Sequence, residues 1–249
     1  MLSFFELIGG LAHFAGQAFP AALGAIRHPS VVLRQLYNVL IGALPLGLVA
    51  GVTLGAVVWM HTHSILQRTG AADYLPTVLA AAVLLELAPI GAGLIVAART
   101  GANLAAELGS MKIGEQIDAL EMLGESPIRK LVGPRILACM LALPLLEILI
   151  GAVALLSGFV AENVIGNTSW LKYQSACLKE LFAYDVIPAC LKTIVFGFLI
   201  GVSGCYFGLK TSGGTEGVGR SATSGVVAAC LFVLASDILL VGIIRILFG

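Results

Sequence analysis

The chain has 249 residues, of which 59% are hydrophobic and only 11% are charged, and its 14 basic and 14 acidic residues give a formal net charge of zero. Soluble domains carry about 25% charged residues, and a soluble fold of this size exposes too much surface to hide so much apolar content. The composition therefore excludes an ordinary soluble protein, a disordered chain and a nucleic-acid-binding protein, which would need a basic excess. It predicts an all-α polytopic membrane protein.

The N-terminal segment 3–26 is apolar but also carries Glu6, His13, Gln17 and several glycines. Because Pro20 is expected to break a spanning helix, we interpret this segment as a helix that lies in the membrane interface. A sixth membrane span is the alternative that the residues leave open.

Five later stretches are long enough for a helix across a bilayer core, which needs about 20 apolar residues. Irregular backbone is not viable in contact with lipid, so we expect a helix in each stretch. The predicted spans are 38–60, 75–98, 136–160, 186–207 and 223–247. With the interfacial helix they form one domain over 1–249, in which the segment 161–185 joins the third and fourth spans.

Charged residues inside these spans are candidate functional groups, because each costs about 2.5–3.5 kcal/mol near the bilayer centre unless it faces protein or water. Glu86 lies at mid-depth, where it either contacts a lipid head group in a cavity or is buried between helices. Lys192 and Asp237 are expected within about 6 Å of each other in depth, which predicts a structural pair. Glu147 is expected to contact a neighbouring helix and is assigned no role.

The loop 99–135 has the composition of a short amphipathic helix over 111–123, followed by a stop at Gly124 and a second helix from Ser126-Pro127. Such a helix either rests on lipid head groups or docks a soluble partner. An acidic face is a poor anchor for a negatively charged leaflet, which favours a protein partner. That face carries Glu115, Asp118, Glu121 and Glu125.

The loops differ in charge, with nine Lys and Arg residues on one side of the predicted spans and three on the other. The positive-inside rule places the richer side in the cytoplasm. The N-terminus and the loop 99–135 are then cytoplasmic, and the segment 161–185 and the C-terminus lie outside.

No pattern in the sequence predicts catalysis or metal binding. His61 and His63 form a pair without a third ligand, and we expect them in a solvated loop. The five cysteines include no CxxC pair, so no metal site is expected. The phosphate-loop pattern GxxxxGK[ST] is absent from the sequence.

Two blocks of sequence resemble the permease family of the MlaE type, also called YrbE. The first runs from Glu86-Leu-Ala-Pro89 through Ala98-Arg99-Thr-Gly101, Glu115-Gln116 and Leu120-Glu121-Met122 to Pro134-Arg135. The second includes Lys192-Thr193, Gly217-Val-Gly-Arg220 and Leu234 to Asp237. The resemblance covers most of the chain from residue 30 onward. It departs at Leu85, where the family usually has Arg, and this puts a head-group contact there in doubt.

The resemblance implies the membrane subunit of an ABC transporter. It also implies that this chain has no ATP site of its own, so we expect neither a cofactor nor an enzyme active site here, and the absent phosphate-loop pattern is consistent with this expectation. Such permeases form homodimers, and each copy docks a cytoplasmic ATPase, which binds ATP and Mg²⁺, through the helix between the second and third spans. On the outer side they meet a lipid-binding MCE-domain protein. The complex moves phospholipid between the inner and outer membranes of diderm bacteria, which implies an inner-membrane location.

The same resemblance suggests roles for individual residues. ATPase coupling is assigned to Glu115, Asp118, Glu121, Met122 and Arg129. A lipid pathway is assigned to Glu86, Leu85, Pro89 and Arg99. Two other functions remain open: a proton-coupled secondary transporter that uses Glu86, Asp237 and Lys192, and a membrane assembly factor that transports nothing.

Overall fold

The computed structural model describes residues 2–166, 168–179 and 183–248, and the side chains of a few further residues at the edges of these ranges are not described. The described part is all-helical, as predicted. Its eight helices are α1 (Leu2–Gly24), α2 (Pro29–Thr69), α3 (Ala72–Ile113), α4 (Gln116–Met122), α5 (Ile128–Gly166), α6 (Trp170–Lys179), α7 (Ala183–Leu209) and α8 (Gly214–Phe248).

Five of these helices are long and apolar enough to cross a membrane, namely α2, α3, α5, α7 and α8. Each contains one predicted span, but all are longer than the spans; α2, for example, has 41 residues. Short connections make successive spans antiparallel. The end of the bundle where α2, α5 and α8 begin is here called the basic end, since it carries Arg27, Arg34, Lys112, Arg129, Lys130, Lys210 and Arg220.

The core of the bundle is built around α5 and α7. About half of the apolar window of each is buried, 50% in α5 and 56% in α7, against 22% in α2 and 17% in α8. The two outer spans therefore keep most of their apolar surface free for lipid or for another copy of the chain. Large side chains such as Ile136, Leu143, Ile150 and Phe196 fill the centre.

Glycines set the closest helix contacts, and Gly47, Gly51 and Gly55 follow one another at four-residue spacing on one face of α2. Gly55 of α2 lies directly against the backbone carbonyl of Ala154 in α5. Gly197 of α7 faces the same helix, where an added Cβ would lie 2.6 Å from the carbonyl oxygen of Cys139. These positions leave no room for a larger residue.

Three wider π-helical turns interrupt the long helices, at Val83–Leu87, Ala97–Gly101 and Ile128–Val132. Two have a clear cause, because Pro89 and Pro134 lack the N–H group that would continue the regular hydrogen bonding. The turns contain residues that the sequence singled out: Leu85 and Glu86 in the first, Arg99 in the second and Arg129 in the third.

The N-terminal helix corrects one expectation, since α1 continues through Pro20 and ends at Gly24. It packs against α5 and α7 and buries Leu11, Ala18 and Ala22. The carbonyl oxygen of Ala21 lies directly against Gly133, which fixes the end of α1 beside the start of α5. The helix is not among the five candidate spans.

The predicted helix 111–123 is wrong as one continuous element. The long helix α3 ends at Ile113, and the chain turns at Glu115, whose φ of 56° is in the left-handed region. The separate helix α4 follows and ends, as predicted, before Gly124, which has a φ of 77°. Lys112 and Asp118 form an ion pair across the break.

The expectation of a solvated loop at His61 and His63 is also wrong, because α2 extends to Thr69 and contains both. The ring of His63 stacks on Trp59, with 4.7 Å between centroids, and its Nδ1 lies 3.4 Å from Glu162 Oε2. Glu162 is buried and accepts a 2.8 Å hydrogen bond from Trp59 Nε1. The segment 161–185 is largely helical, with α5 running to Gly166 and α6 following.

Candidate functional site

An ammonium group held between two carboxylates lies inside the helical bundle. Lys192 Nζ donates a 2.7 Å hydrogen bond to Glu86 Oε2 and lies 3.0 Å from Asp237 Oδ1. The pairing of Lys192 with Asp237 was predicted from their depths, whereas the contact with Glu86 was not. We call these three residues the charge cluster.

Three different helices bring the charge cluster together. Glu86 belongs to the π turn of α3, Lys192 follows Pro188 on α7, and Asp237 lies in the second half of α8. The Lys192 side chain is 1% exposed and that of Asp237 11%, whereas that of Glu86 is 42% exposed. Glu86 is therefore the most exposed member of the cluster.

The electrostatics of the cluster favour it as a functional site. Removing an ion from water is costly, and only close pairing offsets the cost. With every group ionised, one ammonium faces two carboxylates and one negative charge remains in excess. Within the described part of the chain, Asp237 Oδ1 is buried without a well-aligned hydrogen bond.

Glu147, to which sequence analysis gave no role, lies beside the cluster. It is buried in α5 and receives contacts from Thr193 Oγ1 at 3.4 Å and Cys190 Sγ at 3.7 Å, two residues that flank Lys192. The signal in the sequence was its position as the only charged residue of the third span. The sequence of that span does not predict which residues of α7 contact Glu147.

An apolar cavity of about 360 Å³ lies next to the cluster between α7 and α8. Among the described side chains that line it, Lys192 is the charged one, and its ammonium is paired with Glu86 and Asp237, so the walls are almost entirely hydrocarbon. The other lining residues are Ile187, Pro188, Leu191, Val195, Leu240 and Ile244. A cavity with hydrocarbon walls beside a buried ion pair suits a ligand that carries an apolar chain.

The other residues assigned to a lipid pathway do not gather in one place. Leu85 is half-buried beside Glu86, and Pro89 is buried one turn further along α3. Arg99 is 13 residues beyond Glu86, or about 20 Å along the helix. Its guanidinium group packs directly over Gly42 of α2. Arg99 thus lies apart from the charge cluster, towards the basic end.

The residues assigned to ATPase coupling divide into two groups. Glu115, Asp118, Glu121 and Met122 lie on or next to α4, where Ile117 is the residue that packs inward, at 2% exposure. Met122 and Leu123 are 89% and 78% exposed. An exposed apolar pair on a short charged helix is typical of a docking surface.

Arg129 belongs to a different place. It lies in the π turn that opens α5 and lines a cavity of about 710 Å³ together with the end of α1. Glu125, which precedes it, pairs with Lys130 at 3.5 Å.

Over the described ranges no group of three His, Cys, Asp or Glu residues is placed to hold a metal ion.

The fold and the cluster define a class of protein: a multi-pass membrane protein with a charged site inside an apolar helical bundle and a short exposed helix at one end. Sequence comparison identifies the family within this class. The chain belongs to the permease MlaE family, whose sequence profile matches residues 32–243. The resemblance seen in the sequence is thereby confirmed.

Characterised and inferred relatives extend this assignment. A probable ABC transporter permease protein of Rickettsia typhi is 33% identical over 239 residues, which cover 96% of this chain and 92% of the relative. A probable ABC transporter permease protein of Synechocystis is 31% identical over 236 residues, which cover 95% of this chain and 90% of the relative. The chloroplastic protein TRIGALACTOSYLDIACYLGLYCEROL 1 of Arabidopsis thaliana is 33% identical over 91% of this chain and 65% of the relative.

The two bacterial relatives are named as ABC transporter permeases, which are transport components rather than enzymes. The chain is therefore a permease of the ABC transporter type, and this class works in a membrane with an ATPase partner. The proton-coupled secondary transporter is not favoured by any of these relatives.

Proposed function

We propose that this chain is the permease subunit of an ABC transporter that moves phospholipid between the inner and outer membranes. The observation that carries the proposal is the charge cluster beside an apolar cavity of about 360 Å³. The name of the Arabidopsis relative refers to a diacyl lipid, which supports lipid as the substrate class.

The cavity and the charge cluster bind different parts of a phospholipid. Each CH₂ group moved from water to the apolar wall contributes about 0.8 kcal/mol, so acyl chains favour the space between α7 and α8. The phosphate of the head group meets the Lys192 ammonium and displaces part of its contact with Glu86. The exposed Glu86 carboxylate is then free to face an amine or hydroxyl of the head group.

The helix α4 is the proposed site of ATPase coupling. It is held to the bundle through Ile117 and through the ion pair of Lys112 with Asp118, while Met122 and Leu123 extend into solvent. Movement of a partner that grips the exposed side is thus passed to the end of α3. ATP and Mg²⁺ are bound by that partner.

The remaining arrangement follows from the same proposal. Two copies form a homodimer through spans whose apolar surface is mostly free, with the basic end in the cytoplasm of a bacterial inner membrane. The N-terminus is then cytoplasmic, the C-terminus is periplasmic, and an MCE-domain protein meets the opposite end. The nine-to-three distribution of basic residues supports this orientation.

The proposal is tested by purifying the chain in mild detergent from cells that co-express its ATPase, with mass spectrometry of bound subunits and lipids. Wild type is expected to bring two copies of the chain, the ATPase and phospholipid. The variants Glu121→Lys and Met122→Ser should lose the ATPase and keep the lipid. Lys192→Met should lose lipid and keep the ATPase.

The matched control is Glu216→Lys, which reverses an exposed charge at the basic end away from α4 and should change neither result. A wild-type chain that brings neither lipid nor ATPase would overturn the proposal. Equal loss of the ATPase in the control and in Glu121→Lys would remove α4 from the coupling site.

A further inference from the structure

A cavity of about 710 Å³ lies at the basic end, between the end of α1 and the start of α5. Its charged and polar lining comes from Arg27, His28 and Arg129 with Gln17 and Ser126. None of its lining residues is acidic. The cavity is separate from the charge cluster and plays no part in the function proposed above.

Both arginines are available to a ligand. Across the described ranges, neither Arg27 nor Arg129 forms an ion pair or a side-chain hydrogen bond with the protein. Glu125 is the acidic residue next to this lining in sequence, and it is engaged with Lys130. Two unpaired guanidinium groups in one concave site attract an anion and present paired donors to it.

Backbone dipoles add to this charge. His28 is the N-cap of α2, and Ser126 precedes the first turn of α5, so two helices begin at the cavity. The positive end of a helix favours an anion, and its free N–H groups donate to phosphate oxygens. The C-terminal end of α1 also lies at the cavity, and its negative dipole end disfavours an anion. One such end is outweighed by the positive N-terminal ends of α2 and α5.

The cavity is a formed site because its walls are fixed. The carbonyl of Ala21 packs against Gly133, which holds the end of α1 on α5, and Ala21 and Ala25 are buried. Pro20, Ala21, Ala25 and Ile128 give the lining an apolar part below the polar groups. A ligand that joins a phosphate to an apolar body matches both parts.

The depth of the cavity selects the source of that ligand. Arg129 is seven residues before the predicted third span, or about 10 Å along the helix from the hydrocarbon edge. The head-group layer is about 5–8 Å deep on each side of the hydrocarbon core, so the long Arg129 side chain reaches it from its outer edge. We propose that this cavity binds the phosphate head group of an anionic phospholipid, drawn from the leaflet at the basic end and distinct from the transported lipid.

The test uses the purified full chain in nonionic detergent, with binding of short-chain phosphatidylglycerol and phosphatidylcholine counted by native mass spectrometry. Wild type should bind phosphatidylglycerol in preference. The variant Arg27→Gln/Arg129→Gln should lower that affinity by at least about fivefold, since each basic residue near an anionic lipid contributes about that factor. Arg27→Lys/Arg129→Lys should keep most of it.

The matched control is Arg34→Gln/Arg220→Gln, which removes the same charge from exposed positions of the basic end outside the cavity. Equal loss in the control would mean a diffuse charge effect and would overturn the proposal. Displacement of phosphatidylglycerol by inorganic phosphate, but not by chloride at equal ionic strength, would assign the site to free phosphate instead.

Two further outcomes are decisive. If the cavity variant binds lipid normally but loses the co-purifying ATPase, the cavity is a protein contact and the lipid site is wrong. If the double variant does not fold, the single variant Arg129→Gln tests the same site, because this exposed side chain forms no ion pair or hydrogen bond with the described residues. Lipid selectivity that is unchanged in that variant would also reject the site.

Discussion

Lys192 Nζ donates a 2.7 Å hydrogen bond to Glu86 Oε2 across 106 positions of sequence. The contact joins α7 to the π turn of α3 and turns a buried pair into a three-member cluster. Since Glu86 is the exposed member, a ligand that binds there acts on the two buried members through Lys192. The first two predictions follow from this arrangement.

Lys192 and Asp237 should be energetically coupled. Lys192→Ala leaves Asp237 without its ammonium partner, and Asp237→Ala leaves Lys192 paired with Glu86 alone, so each variant should destabilise the chain. The double variant should lose less stability than the sum of the two single losses. A coupling of about 1–3 kcal/mol is expected in a double-mutant cycle measured by thermal unfolding in detergent. Additive losses would contradict the pairing.

Glu86→Gln and Asp237→Asn should lower the free energy of unfolding by different amounts. Both remove one carboxylate from Lys192 with little change in volume, but Glu86 is the more exposed residue, so its pairing contributes less. We expect Glu86→Gln to change stability by less than about 1 kcal/mol and to reduce transport, and Asp237→Asn to reduce both. A larger unfolding shift for Glu86→Gln would reverse this order.

Gly55→Ala should weaken the packing of α2 on α5. The new methyl group would overlap the Ala154 carbonyl, and backbone atoms cannot move aside as a flexible side chain can. The expected loss is about 1–3 kcal/mol, measured as the shift in unfolding temperature. Gly16→Ala is the control, because nothing lies within 4 Å of that position; a similar loss in both variants would refute the explanation.

Trp59→Phe should destabilise the end of the bundle opposite the basic end. Glu162 is buried and accepts a hydrogen bond from the Trp59 indole, so the variant leaves a carboxylate oxygen without that donor. A loss of about 1–3 kcal/mol is expected. Trp170→Phe makes the same chemical change at a half-exposed residue and should cost little. If the two variants unfold alike, the hydrogen bond has no net effect.

Cys177 should react slowly with iodoacetamide. Burial in α6 raises the pKa of its thiol to about 11, against a usual value near 9. In a variant that keeps only this cysteine, the rate should rise about tenfold per pH unit and level off only as pH approaches 11, since the thiolate is the reactive form. In denaturant the rate should level off near 9. A folded-state plateau near 9 would contradict the burial.

The sequence was sufficient for the class of protein and for positions along the membrane normal. The length of an apolar run and the fixed rise of a helix determine depth, and so the five spans and the proximity of Lys192 to Asp237 were predictable. Resemblance in a long gapless block was sufficient for the family. Gly124 was correctly placed as a helix end because its chemistry is local.

Only the tertiary structure decided which groups face one another. Glu86 joins Lys192, Glu147 meets Thr193, and Arg129 shares a cavity with Arg27 because of how each helix is rotated about its axis. That rotation depends on close contacts between distant segments, such as Gly55 on Ala154. Spacing along one segment determines its own faces but not the partner of each face, and the partners determine the sites.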